Sequence, residues 1–491
     1  MLSVPVSPLE DWTAFRLGVE ELTREEIEEW QVDRLQEVIA WARARSPFYR
    51  DLYKGIPAPA LFNLRGVATL PFVERVVLRD RGSELVCVSL GDIARVVTLP
   101  TSGSTGPPKR LWFTEEDLEL TADHFRHGMR ALVVPGDHLL VLMPGQTPGS
   151  VGALLAEGLA RDGVEVDSYG FVDDCDKVAA RILEFGADCL VGVPGQVVRL
   201  ARSEAGRKIG PGRVKSVLLS GDHVTPAMRT AIEQAWACSV FEHYGSTEIG
   251  LGGAVQCRAH AGLHVREADL LFEVVDPLSG EPLPDGAEGE LVVSTLTRRG
   301  MPLIRYRTGD LVRMAAQPCE CGSTLRCIER VVGRRDDRTA LEGGGILTIA
   351  DLDEAVYGAE GVLGFTARLE RGPAGDRLTV LLEAGAGAPL GDEAPSSDGA
   401  SPGGSVPPAD DGSPGARSPV DLLAVVRQRV GALAAVRRAG AEVVVEMWED
   451  AGAQPLSAKQ RITDLRQSPG APAAPAGSAG SAGRPTGPAP V

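Results

Sequence analysis

Lysine and aromatic residues are scarce in this sequence. Lysine and arginine together account for 50 of the 491 residues, but only six of these 50 are lysine, and aromatic residues make up 5% of the chain. Because arginine fills nearly every cationic position, the remaining lysines are candidates for chemistry that needs a compact ammonium group. They are Lys54, Lys109, Lys177, Lys208, Lys215 and Lys459.

Other absences exclude whole classes of protein. The 50 basic residues face 67 acidic ones, for a net charge of −17, so we expect neither a nucleic acid nor a membrane as the partner. No apolar run reaches the roughly 18 residues of a membrane span. The first residues lack the basic and then apolar pattern of a secretory signal. Eight cysteines are too few for a disulfide scaffold, so we expect a cytoplasmic protein with reduced thiols.

Glycine and proline are concentrated in two segments. Residues 385–419 contain eight glycines and seven prolines, and residues 468–491 contain five and six. Neither segment has enough large apolar side chains to offset its chain entropy. Strands are predicted on both sides of the first segment, at 378–382 and 443–447. We therefore predict a disordered insertion at 385–419 and a disordered tail at 468–491.

The rest of the chain has the pattern of an α/β protein. A capping box at Thr23–Glu26 predicts a helix that ends near Ser46 and Pro47. Beyond it, short β-rich runs alternate with amphipathic stretches at 178–185 and 227–235, which indicates α/β organisation. The predicted strands are 131–134, 139–143, 189–193, 217–219 and 291–294.

The segment from Thr101 to Lys109, TSGSTGPPK, is suited to binding a polyphosphate. Its small residues leave backbone N–H groups and hydroxyl oxygens free to surround phosphates, and Lys109 adds a positive charge. A Walker A loop is excluded, because Pro108 and Arg110 stand where that motif needs glycine and serine or threonine.

This segment resembles the phosphate loop of the adenylate-forming superfamily, which includes acyl-CoA synthetases, carrier-protein adenylation domains and luciferases. Further segments resemble motifs of that superfamily in the same order, namely YGSTE at 244–248, YRTGD at 306–310, GRRDD at 333–337 and PLSAK at 455–459. The SPFYR run at 46–50, the YRTGDL run at 306–311 and the stretch from Cys257 to Cys327 are similar to phenylacetate–CoA ligases and their relatives.

The resemblance implies an α/β fold in two parts. A large N-terminal adenylate-forming domain of layered sheets and helices would span 1–332. A small, mobile α+β C-terminal domain would span 333–467 and contain the insertion. Asp336 would be the hinge between them.

The resemblance also implies roles for individual residues. Lys109 would hold the β- and γ-phosphates together with Thr101, Ser102, Gly103, Ser104, Thr105 and Gly106. Thr247 would bind the α-phosphate and Glu248 would bind Mg²⁺. Tyr244 and Gly245 belong to the adenine motif, Asp310 would bind the ribose, and Arg334 would assist at the ribose or phosphate. Lys459 would be the catalytic lysine, although Ala458 replaces the glycine that usually precedes it.

The implied activity is that of an ATP- and Mg²⁺-dependent acid–thiol ligase. It would convert an aryl or arylacetic acid to an acyl-adenylate and transfer the acyl group to coenzyme A. Relatives tend to have a basic residue where this chain has Glu342, which would repel a phosphate-bearing thiol. A carrier protein therefore remains an alternative acceptor. The sequence also leaves open a non-catalytic nucleotide-binding protein, a zinc-stapled scaffold and a homodimer.

Two close pairs of soft ligands predict a structural zinc site. Cys257 and His260 form a C-x₂-H pair, and Cys319 and Cys321 form a C-x-C pair followed by glycine. His264 and Cys327 are possible substitutes, but 262–264 is better interpreted as the start of a strand.

The sequence gives fewer indications of which residues line the pocket for the acid. Segments 143–150, 193–196 and 241–243 are candidates to line it, and His243 is interpreted as a packed histidine rather than a substrate contact.

Overall fold

The computed structural model describes residues 5–56, 63–99, 108–385, 419–448 and 461–466. The predicted phosphate-loop residues Thr101 to Gly106, the predicted catalytic Lys459, and most of the predicted insertion and tail lie outside these ranges. None of the helices within the described ranges combines the length and apolar character that a bilayer crossing needs.

The described chain forms thirteen α-helices and nineteen β-strands. The helices are α1 Pro8–Leu17, α2 Arg24–Arg45, α3 Pro47–Leu52, α4 Arg75–Asp80, α5 Glu115–Gly128, α6 Val151–Ala160, α7 Cys175–Phe185, α8 Pro194–Arg202, α9 Glu204–Ile209, α10 Pro226–Trp236, α11 Ile349–Tyr357, α12 Pro419–Gly431 and α13 Ala434–Ala439. The strands are β1 Arg95–Leu99, β2 Lys109–Phe113, β3 His138–Leu142, β4 Glu165–Ser168, β5 Cys189–Gly192, β6 Ser216–Leu219, β7 Ser239–Tyr244, β8 Ala254–Gln256, β9 Leu263–Val265, β10 Leu270–Val275, β11 Glu288–Thr295, β12 Tyr306–Met314, β13 Cys327–Arg334, β14 Thr339–Ala340, β15 Ile346–Leu347, β16 Val362–Gly372, β17 Gly375–Ala384, β18 Glu442–Met447 and β19 Ile462–Asp464.

An eleven-stranded sheet in the order β10-β11-β12-β13-β9-β8-β7-β6-β5-β3-β4 organises the larger part of the molecule. Strands β4, β3, β5, β6 and β7 run parallel, and every pairing from β7 to β10 is antiparallel. Strands β5 and β6 are buried along their whole length, which explains their uninterrupted apolar sequence. Strand β7 is therefore the point where the parallel and antiparallel halves meet.

A second sheet of four strands, in the order β18-β17-β16-β19, lies in the C-terminal part. Strands β16 and β17 form an antiparallel hairpin, while β18 and β19 each join it in parallel. The strands predicted on the two sides of the insertion are β17 and β18, which pair with each other. The predicted insertion thus follows β17 directly, and α12 and α13 lie between it and β18. The domain boundaries stay a prediction.

The part of the molecule built on the eleven-stranded sheet and the part built on the four-stranded sheet share one apolar cluster. It extends from Ile232 and Trp236 of α10 to Leu352 and Val356 of α11 and to Val380 of β17. Burial of apolar surface is the main favourable contribution to packing of this kind. The arrangement of the C-terminal sheet against α8 and α10 is therefore set by a continuous core as well as by polar contacts.

Most of the predicted elements are confirmed. The capping box at Thr23 and Glu26 begins α2, which ends at Arg45, immediately before α3. The predicted strands at 139–143, 189–193, 217–219 and 291–294 overlap β3, β5, β6 and β11. The strand prediction at 131–134 is wrong. Its first residue ends the 3₁₀ turn Met129–Ala131, Leu132 and Val133 are buried without strand pairing, and Val134 is exposed.

Candidate active site

The predicted nucleotide motifs meet around the end of β7. Strand β2 begins with Lys109, the last residue of the predicted phosphate-loop segment, and β7 ends with Tyr244. A 3₁₀ turn at Thr247–Ile249 follows β7 and contains Glu248. Asp310 lies within β12, and Arg334 is the last residue of β13. Five side chains predicted from four separate motifs therefore come from five elements.

Lys109 and Glu248 form a direct ion pair. The Lys109 Nζ donates to Oε1 of Glu248, and both side chains are largely removed from solvent. Burial alone would raise the pKa of Glu248, but the charge and hydrogen bond of Lys109 outweigh it and hold that pKa below its ordinary value. Glu248 thus remains an ionised carboxylate, whose oxygens can ligate a cation, next to the positive charge of Lys109.

Tyr244, Asp310 and Arg334 form a second cluster. The Tyr244 hydroxyl donates to Oδ2 of Asp310 at 2.7 Å, and Nε of Arg334 lies 3.0 Å from Oδ1. Asp310 and Arg334 are directly opposite each other on β12 and β13, which fixes their approach. Burial and the negative charge of Asp310 raise the pKa of Tyr244 well above its ordinary value. Each carboxylate oxygen retains a further acceptor site, which a ribose hydroxyl could use.

Gly245 and Thr247 shape the turn between the two clusters. A Cβ at Gly245 would lie 1.8 Å from the carbonyl oxygen of Leu251, so no larger residue fits. Thr247 begins the 3₁₀ turn. Arg298 stabilises this turn, because its Nη1 donates a hydrogen bond to the Glu248 carbonyl oxygen at 2.6 Å. The glycine-containing motif thus brings the backbone of 245 and 251 together and presents Glu248 to Lys109.

Asp336 lies in the exposed 3₁₀ turn Arg335–Asp337, immediately after β13. Its Oδ2 lies 2.6 Å from Nη1 of Arg75 on α4. Because both side chains are exposed, this ion pair contributes little to stability. The residue is therefore placed at the segment between the two parts, and its role as a hinge stays a prediction.

Three of the four predicted zinc ligands come together, and the fourth does not. Cys257, Cys319 and Cys321 group with His264, and one ligand atom from each lies within 4.8 Å of the others. The Cys257 and Cys319 sulfurs are 3.8 Å apart, and Cys321 Sγ is 3.5 Å from Nε2 of His264. All four side chains are buried. The structure thus groups the three predicted cysteines with His264 instead of the predicted His260.

His260 is the position where the predicted set needs correction. The residue lies in the left-handed region at φ 54°, with its N–H donating to the Cys257 carbonyl oxygen in a tight turn. The turn directs its ring onto Phe241, with ring centroids 4.5 Å apart, and away from the sulfur atoms. His264 is on β9, as the strand interpretation predicted, and that strand presents its ring to the cysteines.

Cys327 adds a further contact to the cysteine group. Its Sγ lies 3.3 Å from Nδ1 of His264, on the ring nitrogen that does not face Cys321. Burial lowers the pKa of His264 to about 4 and raises the pKa of Cys257 to about 12. A neutral imidazole with one nitrogen fixed by a neighbour is the form that can ligate a metal.

A cavity lies on the other side of β7, and it contains residues that motif reasoning missed. It is lined by His124, Phe125, Gly128, Met129, Val151, Leu155, Val191, Leu218, Ser220, His243, Leu251 and Val255. Of the segments predicted to line an acid pocket, 241–243 contributes His243, whereas 143–150 and 193–196 contribute no lining residue. His124 belongs to no recognisable motif, so its position became evident only from the fold.

Comparison with known proteins finds related sequences over most of the chain. A family model described as AMP-binding enzyme matches residues 77–297. The phenylacetate–coenzyme A ligase of Thermus thermophilus is 31% identical over 335 residues, which cover 66% of this chain and 74% of that enzyme. The phenylacetate–coenzyme A ligase of Escherichia coli is 28% identical over 349 residues, with 69% and 78% covered.

A solved structure shows the same fold. The crystal structure of 2-hydroxyisobutyryl-CoA ligase in the postadenylation state superposes with a TM-score of 0.73 and covers 90% of each chain at 20% identity. The nucleotide motifs, their arrangement at the end of β7 and the extent of the match to curated relatives lead to one conclusion. The chain belongs to the phenylacetate–coenzyme A ligase family of AMP-binding enzymes.

Proposed function

We propose that this AMP-forming acid–CoA ligase activates an aryl or arylacetic acid with ATP and Mg²⁺. The acid would become an acyl-adenylate with release of pyrophosphate, and coenzyme A would then take the acyl group with release of AMP. The observation that carries the proposal is the pairing of Lys109 with Glu248 beside the Tyr244–Asp310–Arg334 cluster. These groups supply positive charge and directed hydrogen-bonding groups at one place.

The first half-reaction must bring a carboxylate close to a phosphate, although both groups are negatively charged. Lys109 and Arg334 would place positive charge near the phosphates, where it offsets the charge that builds on phosphorus. Asp310 would hold the ribose hydroxyls, while Tyr244 and Arg334 keep its carboxylate in a fixed orientation. Fixed groups cost little reorganisation during the reaction, which is the physical basis of their effect.

The residues present fit a magnesium ion. Glu248 is buried, its pKa is held below the ordinary value, and an anionic oxygen is the ligand that Mg²⁺ prefers. When bound, the ion supplies charge neutralisation to the phosphates. Thr247, in the same turn, would contribute a hydroxyl to the α-phosphate. Lys109 would exchange its contact with Glu248 for a phosphate oxygen.

The acceptor proposed is coenzyme A. Glu342 was the residue that favoured a carrier protein instead, because its charge would repel phosphates. Its Oε1 lies 3.6 Å from Nη1 of Arg371 on β16, so that charge has a partner. Both side chains are exposed, so solvent screens the pair and it offsets only part of the repulsion that the sequence suggested. A carrier protein, a homodimer and the cytoplasmic location remain predictions.

We also propose that the Cys257–His264–Cys319–Cys321 group holds a structural zinc ion. Zn–S and Zn–N bonds of about 2.3 Å and 2.0–2.1 Å in a tetrahedron separate two sulfurs by about 3.8 Å and a sulfur from a nitrogen by about 3.6 Å. The observed separations of 3.8 Å and 3.5 Å match these values. Four protein ligands leave no position for water, so the ion would join loops rather than catalyse.

Exchange of labelled pyrophosphate into ATP tests the adenylation function, with a panel of aryl and arylacetic acids and with coenzyme A added or withheld. Acid-dependent exchange, followed by AMP and thioester once coenzyme A is present, supports the proposal. Exchange without thioester would contradict coenzyme A as acceptor and favour a carrier protein. ATP binding with no exchange for any acid would contradict adenylation itself.

The variant Lys459→Ala tests the catalytic role proposed for this lysine. The variant should lose exchange by at least about 100-fold, since a charge acting at the reacting phosphate is removed, while ATP binding persists. Lys208→Ala is the matched control, because Lys208 is exposed on α9 and pairs only with Glu204 among the described side chains. Unchanged exchange in Lys459→Ala would contradict the role proposed for this lysine.

A further inference from the structure

A buried arginine contacts the backbone of Glu248. Arg298 belongs to the segment between β11 and β12, and it is only 5% exposed. Its Nη1 donates to the Glu248 carbonyl oxygen at 2.6 Å, and its Nη2 donates to the Trp112 carbonyl oxygen at 3.0 Å. One guanidinium thus contacts two elements, the turn Thr247–Ile249 and strand β2.

These two elements contain the two partners of the ion pair described above. Strand β2 begins at Lys109 and includes Trp112, whereas the turn includes Glu248. The donors of a guanidinium have fixed directions in one plane, so Arg298 sets the separation of the two carbonyl groups. Strand β2 is itself held by its antiparallel pairing with β1. Arg298 therefore joins the strand that begins at Lys109 to the turn that presents Glu248.

The segment that contains Arg298 is fixed by contacts that do not involve Glu248. Oδ1 of Asp117 accepts a hydrogen bond from the Arg299 N–H at 3.0 Å, and Oδ2 accepts one from the Gly300 N–H at 3.1 Å. A Cβ at Gly300 would lie 2.5 Å from that Oδ2, so this approach requires glycine. Asp117 lies in the first turn of α5. The position of Arg298 is thus set by α5.

Stability alone does not account for a cation at this position. Arg298 donates to no carboxylate among the described side chains, and its buried Nε has no hydrogen-bond partner among them. The guanidinium is always charged, and it lies over the Phe113 ring, 4.3 Å from the ring centroid. Burying a charge without a counter-charge is costly, and apolar residues often replace buried ionic groups without loss of stability. This cost indicates a role in the site.

We propose that Arg298 is a positioning residue for Glu248, the magnesium ligand proposed above. By joining the Glu248 turn to strand β2, it would hold the Glu248 carboxylate opposite Lys109 before ATP binds. A ligand that is already oriented loses less freedom when it binds an ion, so the affinity for Mg²⁺ rises. The proposal rests on the adenylation function proposed above, but its first test does not depend on catalysis.

Binding of ATP to the intact enzyme tests the proposal without any acid. The affinity for ATP is measured by calorimetry with saturating Mg²⁺ and again with EDTA, and the ratio of the two affinities is the magnesium factor. In Arg298→Met this factor should fall by roughly 10-fold, because groups that orient a metal ligand contribute roughly 10- to 100-fold to metal affinity. Arg298→Lys keeps a cation that can donate to one carbonyl, so its factor should be intermediate. An unchanged factor in Arg298→Met would overturn the proposal.

Arg305→Met is the matched control for loss of a buried arginine. Arg305 is also buried, and its guanidinium contacts are with the carbonyl oxygens of Ala68 and Leu70, the carboxylate of Glu273 and the ring of Phe72. None of these groups belongs to β2 or to the turn with Glu248. Arg305→Met should therefore leave the magnesium factor unchanged even where it lowers the melting temperature. An equal fall in both variants would show a general loss of packing and would overturn the proposal.

A double-variant cycle shows whether Arg298 acts through Glu248. Adding Arg298→Met to Glu248→Gln should lower the magnesium factor by less than about 3-fold further, because the ligand that Arg298 positions is already lost. A further fall as large as the one in the single Arg298→Met variant would mean that the two residues act independently. That result would also overturn the proposal.

Pyrophosphate exchange separates this proposal from the adenylation function. If the wild-type enzyme shows no acid-dependent exchange, the adenylation function fails, and the magnesium factor still decides the role of Arg298. If exchange occurs, Arg298→Met should need roughly 10-fold more Mg²⁺ for half of the maximal rate, with a smaller fall in kcat at saturating Mg²⁺. A fall confined to kcat at saturating Mg²⁺ would contradict positioning of the metal ligand.

Discussion

The ring of His223 joins the two parts of the molecule. Its Nε2 lies 2.6 Å from Oδ2 of Asp353 on α11, and its Nδ1 lies 3.2 Å from Oδ1 of Asp222. His223 follows β6 in the large sheet, whereas α11 packs with the C-terminal sheet. Next to this contact, Glu354 accepts a hydrogen bond from the Ala227 N–H at 2.9 Å. A histidine between two carboxylates therefore links elements 130 residues apart in the chain.

This contact predicts a pH-dependent stability. Burial opposes the charged ring, but the hydrogen bonds and charges of Asp222 and Asp353 outweigh it and raise the pKa of His223 to about 10. A histidine with a raised pKa in the folded state stabilises fully below its unfolded value of about 6.5, and the effect is lost as pH rises through about 10. We expect the free energy of unfolding, measured by urea titration, to fall between pH 7 and pH 10.

His223→Gln is the variant that isolates the contribution. It should destabilise the protein by about 3 kcal/mol at pH 7, because Asp353 is left buried without its counter-charge. The fall in stability between pH 7 and pH 10 should also become smaller. His138→Gln, which alters a partly exposed histidine, should leave that pH dependence unchanged. An identical pH profile in His223→Gln would contradict the assignment.

Glu248→Gln tests the ion pair with Lys109. The amide keeps the shape of the carboxylate and removes the anionic oxygen, so we expect pyrophosphate exchange to fall by about 100- to 1,000-fold. The Mg²⁺ concentration for half-maximal exchange should rise. Glu116→Gln, at an exposed position in the first turn of α5, is the control. A normal Mg²⁺ dependence in Glu248→Gln would exclude this residue as the ligand.

Tyr244→Phe tests the hydrogen bond to Asp310. The variant removes a hydrogen bond to a charged group, worth about 1.5–3 kcal/mol, and leaves Arg334 alone to orient the Asp310 carboxylate. We expect the KM for ATP to rise by roughly 10-fold, with a smaller change in kcat, because in the proposed site the hydroxyl would orient the ribose ligand Asp310 and would not touch the reacting phosphorus. A change confined to kcat would contradict this role. Tyr169→Phe, at a partly exposed tyrosine, is the control.

The residues that meet at the end of β7 could be predicted from the sequence because each belongs to a short, contiguous motif; their binding of a nucleotide stays a prediction. The spacing of Tyr244 and Glu248 reflects one turn, and a Cβ at Gly245 would clash with the Leu251 carbonyl oxygen. Residues that are brought together only by tertiary packing belong to no such motif. His223 and Asp353 are joined by tertiary packing, and His124 reaches its cavity because α5 lies over β7. Neither relationship leaves a pattern in the linear sequence.

The proposed metal ligands illustrate an intermediate case. The two cysteine pairs were evident from their spacing, but the choice between His260 and His264 depended on local geometry. Strand alternation offered a signal, since Leu263 and Val265 share one face of β9 and His264 faces the other. The positive φ of His260 could not be inferred, because left-handed conformations are uncommon for residues other than glycine.

The two histidines provide a matched pair for testing the zinc site. Elemental analysis of the purified enzyme should find about one zinc per chain, and His260→Gln should retain it. His264→Gln should lose it and unfold at a lower temperature, because three buried cysteines are left without the ion that joins their loops. Adenylation measured below that temperature should persist, since the nucleotide residues are not part of the cysteine group. Zinc retained in His264→Gln and lost in His260→Gln would mean that the ligand set derived from the fold is wrong.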